Sequence, residues 1–249
     1  MYIMEGDTPC FLHIMQNGLN GGPFDHPEWG GWGGRYTLTD LTRQSMHYGD
    51  TIDNVVGKDN KTYATNKATI WRWRQAFQDE MSARVQWSVQ SNYSAASHPP
   101  VVSINSSCGS APLEIEVDPE QTITLDASET YDPDANLTDR NALQFRWFNY
   151  RDINTLRGDD DAVANLNHTL SGAIHGSVLT TTLPSAEVAC AGGPGLFAPE
   201  GVQAVCEQYH VILEVLGSGT PPMRRYKRVI LKVQSPLEAQ TTRRKRDEL

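Results

Sequence analysis

The chain has 249 residues, 39% of them hydrophobic and six of them tryptophan, enough to bury a core and to exclude wholesale disorder. No run of about 18 apolar residues occurs, which excludes a membrane-spanning helix. The 21 basic and 30 acidic side chains give a net charge of −9; nine of the bases fall within residues 223–249, and the rest of the chain sets 12 bases against 27 acids, a balance that excludes nucleic acid as the default partner.

Residues 1–4 read as the end of a buried strand, with no trace of a signal peptide, so the chain is expected to begin inside a domain. Glu5 and Asp7 follow, two apart at a strand end, where α/β folds keep their ligand sites. They either orient sugar hydroxyls or help hold a cation, or else Asp7 or Thr8 caps a helix with Pro9 at its first position. Seven of the 17 residues from Gly18 to Gly34 are glycine. The run Asp25-His26-Pro27-Glu28-Trp29-Gly30-Gly31-Trp32-Gly33-Gly34-Arg35-Tyr36 has two open readings. Trp29 and Trp32 form an exposed platform for a sugar face, with His26, Glu28 and Arg35 for its hydroxyls, or they are a buried pair against which glycines let the backbone pack.

Residues 37–65 are polar and irregular, with weak strand signals. Asn66 is a plausible N-cap for a helix over 67–88, in which Ile70, Trp73, Phe77, Met81 and Val85 make one apolar stripe and Arg72, Arg74, Gln78, Asp79 and Arg84 fill the other face. Ser94 to Pro100 has a linker's composition. Beyond it the period changes to two. Strands are predicted at 101–104, 122–125, 143–148, 178–182, 209–215 and 229–233, an antiparallel sandwich with Trp147 filling its core. Asp126, Asp132, Asp134 and Asp139 in one loop, and Asp159 to Asp161 in another, are either calcium ligands or solvated turns.

Cys190 and Cys206 flank a Gly/Pro-rich loop and are predicted to pair; with Cys10 and Cys108 they offer no CxxC spacing, so a zinc site is not expected. Sequons stand at Asn60, Asn92, Asn105, Asn136 and Asn167. The terminal Arg246-Asp247-Glu248-Leu249 resembles an ER-retrieval tetrapeptide, and Arg243 to Arg246 can equally be a processing site. Together these lean towards a glycoprotein of the secretory pathway, in the ER lumen or outside the cell.

The blocks Glu5 to Leu12, Asn17-Gly18-Leu19, His26 to Tyr36 and Ile70-Trp71-Arg72-Trp73-Arg74, then His98-Pro99-Pro100, Thr122 to Pro133 and Phe145 to Phe148, resemble in that order a family of secreted proteins described as cellulose-binding. Those proteins join a nucleoside-hydrolase-like N-terminal domain to a C-terminal Ig-like β-sandwich. The resemblance runs from about residue 2 to 234. It implies an α/β remnant, the C-terminal portion of the hydrolase-like domain over residues 1–97, followed by an all-β Ig-like antiparallel sandwich over 98–236 and a charged tail over 237–249. Nucleoside hydrolases are similar in using an Asp-rich strand end to bind Ca²⁺ and activate water. No such cluster precedes Glu5, so no cofactor is expected in this chain, Ca²⁺ being implied for a full-length relative. Glu5 and Asp7 would match the sugar-orienting acid and amide of that family, with Asp standing for Asn. The implied ligand is a polysaccharide or glycoside, contacted by Glu5, Asp7, Asn17, His26, Glu28, Trp29, Trp32 and Arg35. The implied role is binding or processing of a cellulose-like glycan without hydrolysis in this chain. The alternatives are a Ca²⁺-dependent N-glycosyl hydrolase at full length, or a structural spacer.

Overall fold

The computed structural model describes residues 11–19, 26–40, 44–45, 47–135, 142–153, 165–190 and 206–235. In the stretch read as irregular, β1 (Tyr36–Leu38) pairs with β2 (Tyr48–Asp50), and β3 (Asp53–Val56) with β4 (Thr62–Thr65), both antiparallel. Apart from Asp53 their residues are half-buried or exposed, so no apolar period marks them. Two helices follow, α1 (Ala68–Trp71) and α2 (Arg74–Val89), where the sequence predicts one over 67–88. The break comes where Trp73 N–H donates to the Ile70 carbonyl, a tightened turn that lets the neighbours Arg72 and Trp73 both face inward. Asn66 is no cap: its side-chain amide donates to Asp50, and its carbonyl accepts from Thr69.

The predicted apolar stripe is buried only at its start. Trp73 is covered, whereas Met81 and Val85 are 44% and 62% exposed. α2 instead turns Ala76, Glu80 and Ala83 inward. The reason is electrostatic: the strand it meets carries Arg224 and Arg225, which pair with Asp79 and Glu80 and draw the helix's acidic edge against the sheet. Asp79, expected on the solvent face, is therefore largely covered, and Arg72, expected there too, is covered by its own pairing with Asp53 and Asp152.

After Pro100, β5 (Ser103–Ile104) and β6 (Ser107–Cys108) make a small hairpin. Two sheets are built from β7 (Leu113–Val117), β8 (Thr122–Asp126), β9 (Gln144–Asn149), β10 (His168–Ser171), β11 (Val178–Thr182), β12 (Gln208–Leu216) and β13 (Arg224–Val233), ordered β7-β13-β12-β9 and β10-β11-β8. A short α3 (Ala186–Ala189) links β11 towards β12. Five of the six predicted strands lie in these sheets; that expected at 101–104 shrinks to β5 in its separate hairpin, and β13 runs parallel to β7, which corrects the all-antiparallel expectation. The two strands lie far apart in sequence, so no tight turn dictates their relative direction. One core joins both sheets: Val117, Leu125, Leu179, Leu213 and Leu231 meet around Trp147, whose indole N–H donates to Gly176 O at 2.8 Å. Cys190 and Cys206 are bonded, as the spacing predicts; closing that loop stabilises by roughly 3 kcal/mol.

β12 is buried almost throughout because its sheet is covered on both faces. Val211, Leu213 and Val215 point into the core between the sheets, and Ile212 points the other way. There it joins Tyr150, Ile153 and Tyr226 in a second core, closed by Leu12, Met15, Leu19, Trp32, Trp73 and Ala76. The approach is close: Gly18, at φ +94°, lies so near β13 that a Cβ there would stand 1.8 Å from Tyr226 O. The Gly/Trp loop and α2 thus form a third layer on the outer face of the four-stranded sheet.

Candidate functional site

The third layer decides which candidate residues reach solvent. Glu5 and Asp7 lie outside the described residues. Asn17 is buried; its side-chain oxygen accepts from Leu19 N–H at 2.8 Å, and its carbonyl accepts from Tyr226 N–H at 2.8 Å. Trp32 is 0% exposed, with its ring set edge-on to Tyr226. Arg35 is buried too, donating through Nε to Asp53 Oδ1 and through NH2 to Ile52 O, both at 2.7 Å. These three hold the loop to the body, so the reading of Trp32 and Arg35 as a sugar-facing set is corrected. The glycines around Trp32 let backbone pack on its ring.

His26, Glu28 and Trp29 remain together at the rim. The single 3-10 turn Pro27–Trp29 stacks the His26 imidazole on the Trp29 indole with centroids 4.0 Å apart and planes 1° from parallel. Glu28 Oε1 lies 2.7 Å from His26 Nδ1, and the two side chains are 37% (His26) and 25% (Glu28) exposed. A flat ring pair with a carboxylate and an imidazole at its edge suits a sugar: apolar C–H faces meet the ring, and hydroxyls meet the polar groups.

Two buried charge clusters, in which Arg35 is the sole member drawn from the candidates, fix this rim. Arg228 donates to Trp29 O at 2.8 Å and Gly30 O at 3.0 Å, and its NH1 lies 3.0 Å from His210 Nδ1. Burial pushes the Arg228 guanidinium down to about 10. Burial first, then the charge of Arg228, holds His210 well below the usual imidazole range. Below it, Asp53 ties Arg35, Arg72 and Tyr150 together, with Asp152 as the second anion. A signal existed for one member: a histidine amid the apolar run Tyr209 to Val215 must face something polar.

His210 has a measurable consequence. It takes up a proton in the unfolded chain below its ordinary value near 6.5 but resists protonation when folded. Stability should therefore fall as pH drops below that value, by up to about 1.4 kcal/mol per pH unit. His13, lowered by burial, acts in the same direction. Urea unfolding between pH 7.5 and 5 should show the decline, and His210→Gln should flatten it; equal slopes in the two proteins would contradict the assignment.

The remaining candidates scatter. Asp126 Oδ1 accepts from Ser128 N–H, Asp132 from Asp134 and Ser218, and Asp134 from His98, so these carboxylates serve local turns. Asp139 and Asp159 to Asp161 lie outside the described residues, as do Cys10, Asn136 and the 237–249 tail. Among the described residues no group of three or more His, Cys, Asp or Glu fits a metal ion. Cys108 is a free, exposed thiol. The sequons Asn60, Asn92, Asn105 and Asn167 are all exposed, but the Asn105 amide is engaged: its Oδ1 accepts from Asp126 N–H and its Nδ2 donates to Thr124 O.

With this architecture in place, the comparisons define a class. Residues 122–233 match the family model of the C-terminal domain of cellulose-binding protein Sde0182, and residues 1–36 match that of the nucleoside hydrolase-like domain of cellulose-binding Sde182. The resemblance read from the sequence is thereby shown at both ends of the chain. Among solved structures the chain is similar to a nucleoside hydrolase-related hypothetical protein from Saccharophagus degradans, described as associated with carbohydrate metabolism. The two are 25% identical with a TM-score of 0.63, over 94% of this chain and 49% of that one. The chain thus spans about half the length of that solved relative. No curated protein matches it.

Proposed function

We propose that this chain binds a cellulose-like polysaccharide and catalyses nothing by itself, with residues 1–97 the end of a nucleoside-hydrolase-like domain and 98–236 an Ig-like sandwich. The single observation that carries the reading is the partly exposed His26–Trp29 ring pair with Glu28 at its edge, in a chain similar to a cellulose-binding family. The buried Arg228 holds the pair from below, so the rim is preorganised. The Cys190–Cys206 disulfide supports an oxidising, secretory compartment, and no helix among the described residues is long and apolar enough to cross a membrane.

The test is retention on microcrystalline cellulose. The intact chain should bind saturably, and Trp29→Ala, with near-UV circular dichroism otherwise preserved, should bind roughly tenfold more weakly, the worth of one good ring contact. Absence of retention by the folded wild type would sink the reading. The match over residues 1–36 supports a second one, hydrolysis of N-glycosyl bonds by a chain spanning the whole of that domain. Calcium-dependent release of ribose from inosine by such a longer chain, with none from the present one, would favour it over binding alone.

A further inference from the structure

The stretch with a linker's composition is tied down at every step, and what it holds up is an aromatic face. Tyr93 opens a single 3-10 turn after α2. Its ring lies on the His98 imidazole with centroids 3.5 Å apart and planes 10° from parallel. The His98 ring is also near-parallel to Trp87, at 5.9 Å and 13°, and the Arg84 guanidinium stands 5.2 Å from the Trp87 ring. Each member has its own anchor. His98 Nδ1 is 2.7 Å from Asp134 Oδ1 and its backbone N–H donates to Asp134 Oδ2 at 2.5 Å. Trp87 Nε1 donates to Ser97 O, and Ser97 Oγ donates to Pro221 O, both at 2.7 Å. Arg84 is paired with Glu80.

Tyr93 is nevertheless 66% exposed. With one face on His98, the other face is open to water. A tyrosine that served only to close the junction between α2 and the sheets would bury both faces. Here the covered face is fixed by three stacked groups, and the open one is presented on a rigid base.

We propose that Tyr93, backed by His98 and Trp87, is a second sugar-binding platform, taking the C–H face of a pyranose unit of the polysaccharide. The proposal rests on the polysaccharide-binding reading and adds a site to it. The ring's negative face attracts the positively polarised C–H bonds of a flat sugar. With Nδ1 held by Asp134, His98 Nε2 is the ring's remaining polar atom and is set to meet a sugar hydroxyl. Tyrosine loses little freedom on binding, and the stack beneath removes most of what it has.

The experiment is calorimetric titration of the intact chain with cellohexaose, using protein without N-glycan at Asn92 so that the chain's own sugar cannot occupy the ring. Tyr93→Ala should weaken binding five- to tenfold, Tyr93→Phe should leave it within about twofold, and both should melt near the wild type because the ring is exposed. If the wild type binds and Trp29→Ala weakens it while Tyr93→Ala does not, the platform is wrong and the rim stands. If the folded wild type does not bind cellohexaose, the polysaccharide reading falls and the platform with it. Weakening by Tyr93→Phe equal to that by Tyr93→Ala would also overturn the proposal, because the hydroxyl rather than the face would then matter.

Discussion

Asp53→Ala is expected to destabilise the chain by about 3–5 kcal/mol, the cost of breaking a buried ion pair from one side. Asp53 is 0% exposed and accepts from Arg35 Nε at 2.7 Å and from Tyr150 Oη at 2.6 Å, with Arg72 NH1 at 3.0 Å. Two anions, Asp53 and Asp152, balance two guanidiniums. Removing one leaves a cation out of water with no counterion. Tyr150 cannot substitute, because burial raises its hydroxyl far above the ordinary phenol range and it stays neutral. Asp53→Asn should recover only part of the loss, since it keeps shape and one acceptor but no charge. Urea denaturation decides it: a loss under about 1 kcal/mol would show that Arg35 and Arg72 find other partners.

Arg228→Met is expected to cost about 3 kcal/mol and to release the rim. The guanidinium is fully buried and satisfies the carbonyls of Trp29 and Gly30; methionine fills the space but leaves both acceptors dry. His210 provides an independent readout. Losing the neighbouring charge should raise its pKa, while burial, the larger cause, keeps it below the ordinary value. A histidine titration by NMR checks this directly. Cellulose retention should fall together with stability, because Arg228 fixes the turn that stacks His26 on Trp29. Full retention in a destabilised variant would separate the clamp from the site.

Elements that bury one apolar face were legible as sequence. β8, β9, β11, β12 and the apolar half of β13 were all read as strands from the change to period two. β7, Leu113-Glu114-Ile115-Glu116-Val117, alternates just as plainly yet was not among the predicted strands. The first residues of β13 were hidden for a different reason. Arg224, Arg225 and Arg228 look like surface charge until Asp79, Glu80 and the Trp29 carbonyl come to meet them, and that meeting is long-range. The same holds at the site. Trp29 and Trp32 share one glycine context, and nothing local distinguishes them; Trp32 is covered because Tyr226 of a distant strand closes over it. His98 lay in a segment whose Ser and Pro content suggested freedom, with Tyr93 just before it, whereas Asp134 and Pro221 fix that segment from the sandwich. The disulfide alone was readable from spacing.

The six tryptophans are placed so that one spectrum tests the central claim that polysaccharide is recognised by the exposed ring stacks. In ¹⁵N-labelled intact chain titrated with cellohexaose, the indole N–H signals of Trp29 and Trp87 should move progressively and saturate together. Those of the buried Trp32, Trp73 and Trp147 should stay in place. Trp71, half-exposed on α1 and outside both stacks, is the internal control. No movement in any indole, or movement confined to Trp71, would contradict the account.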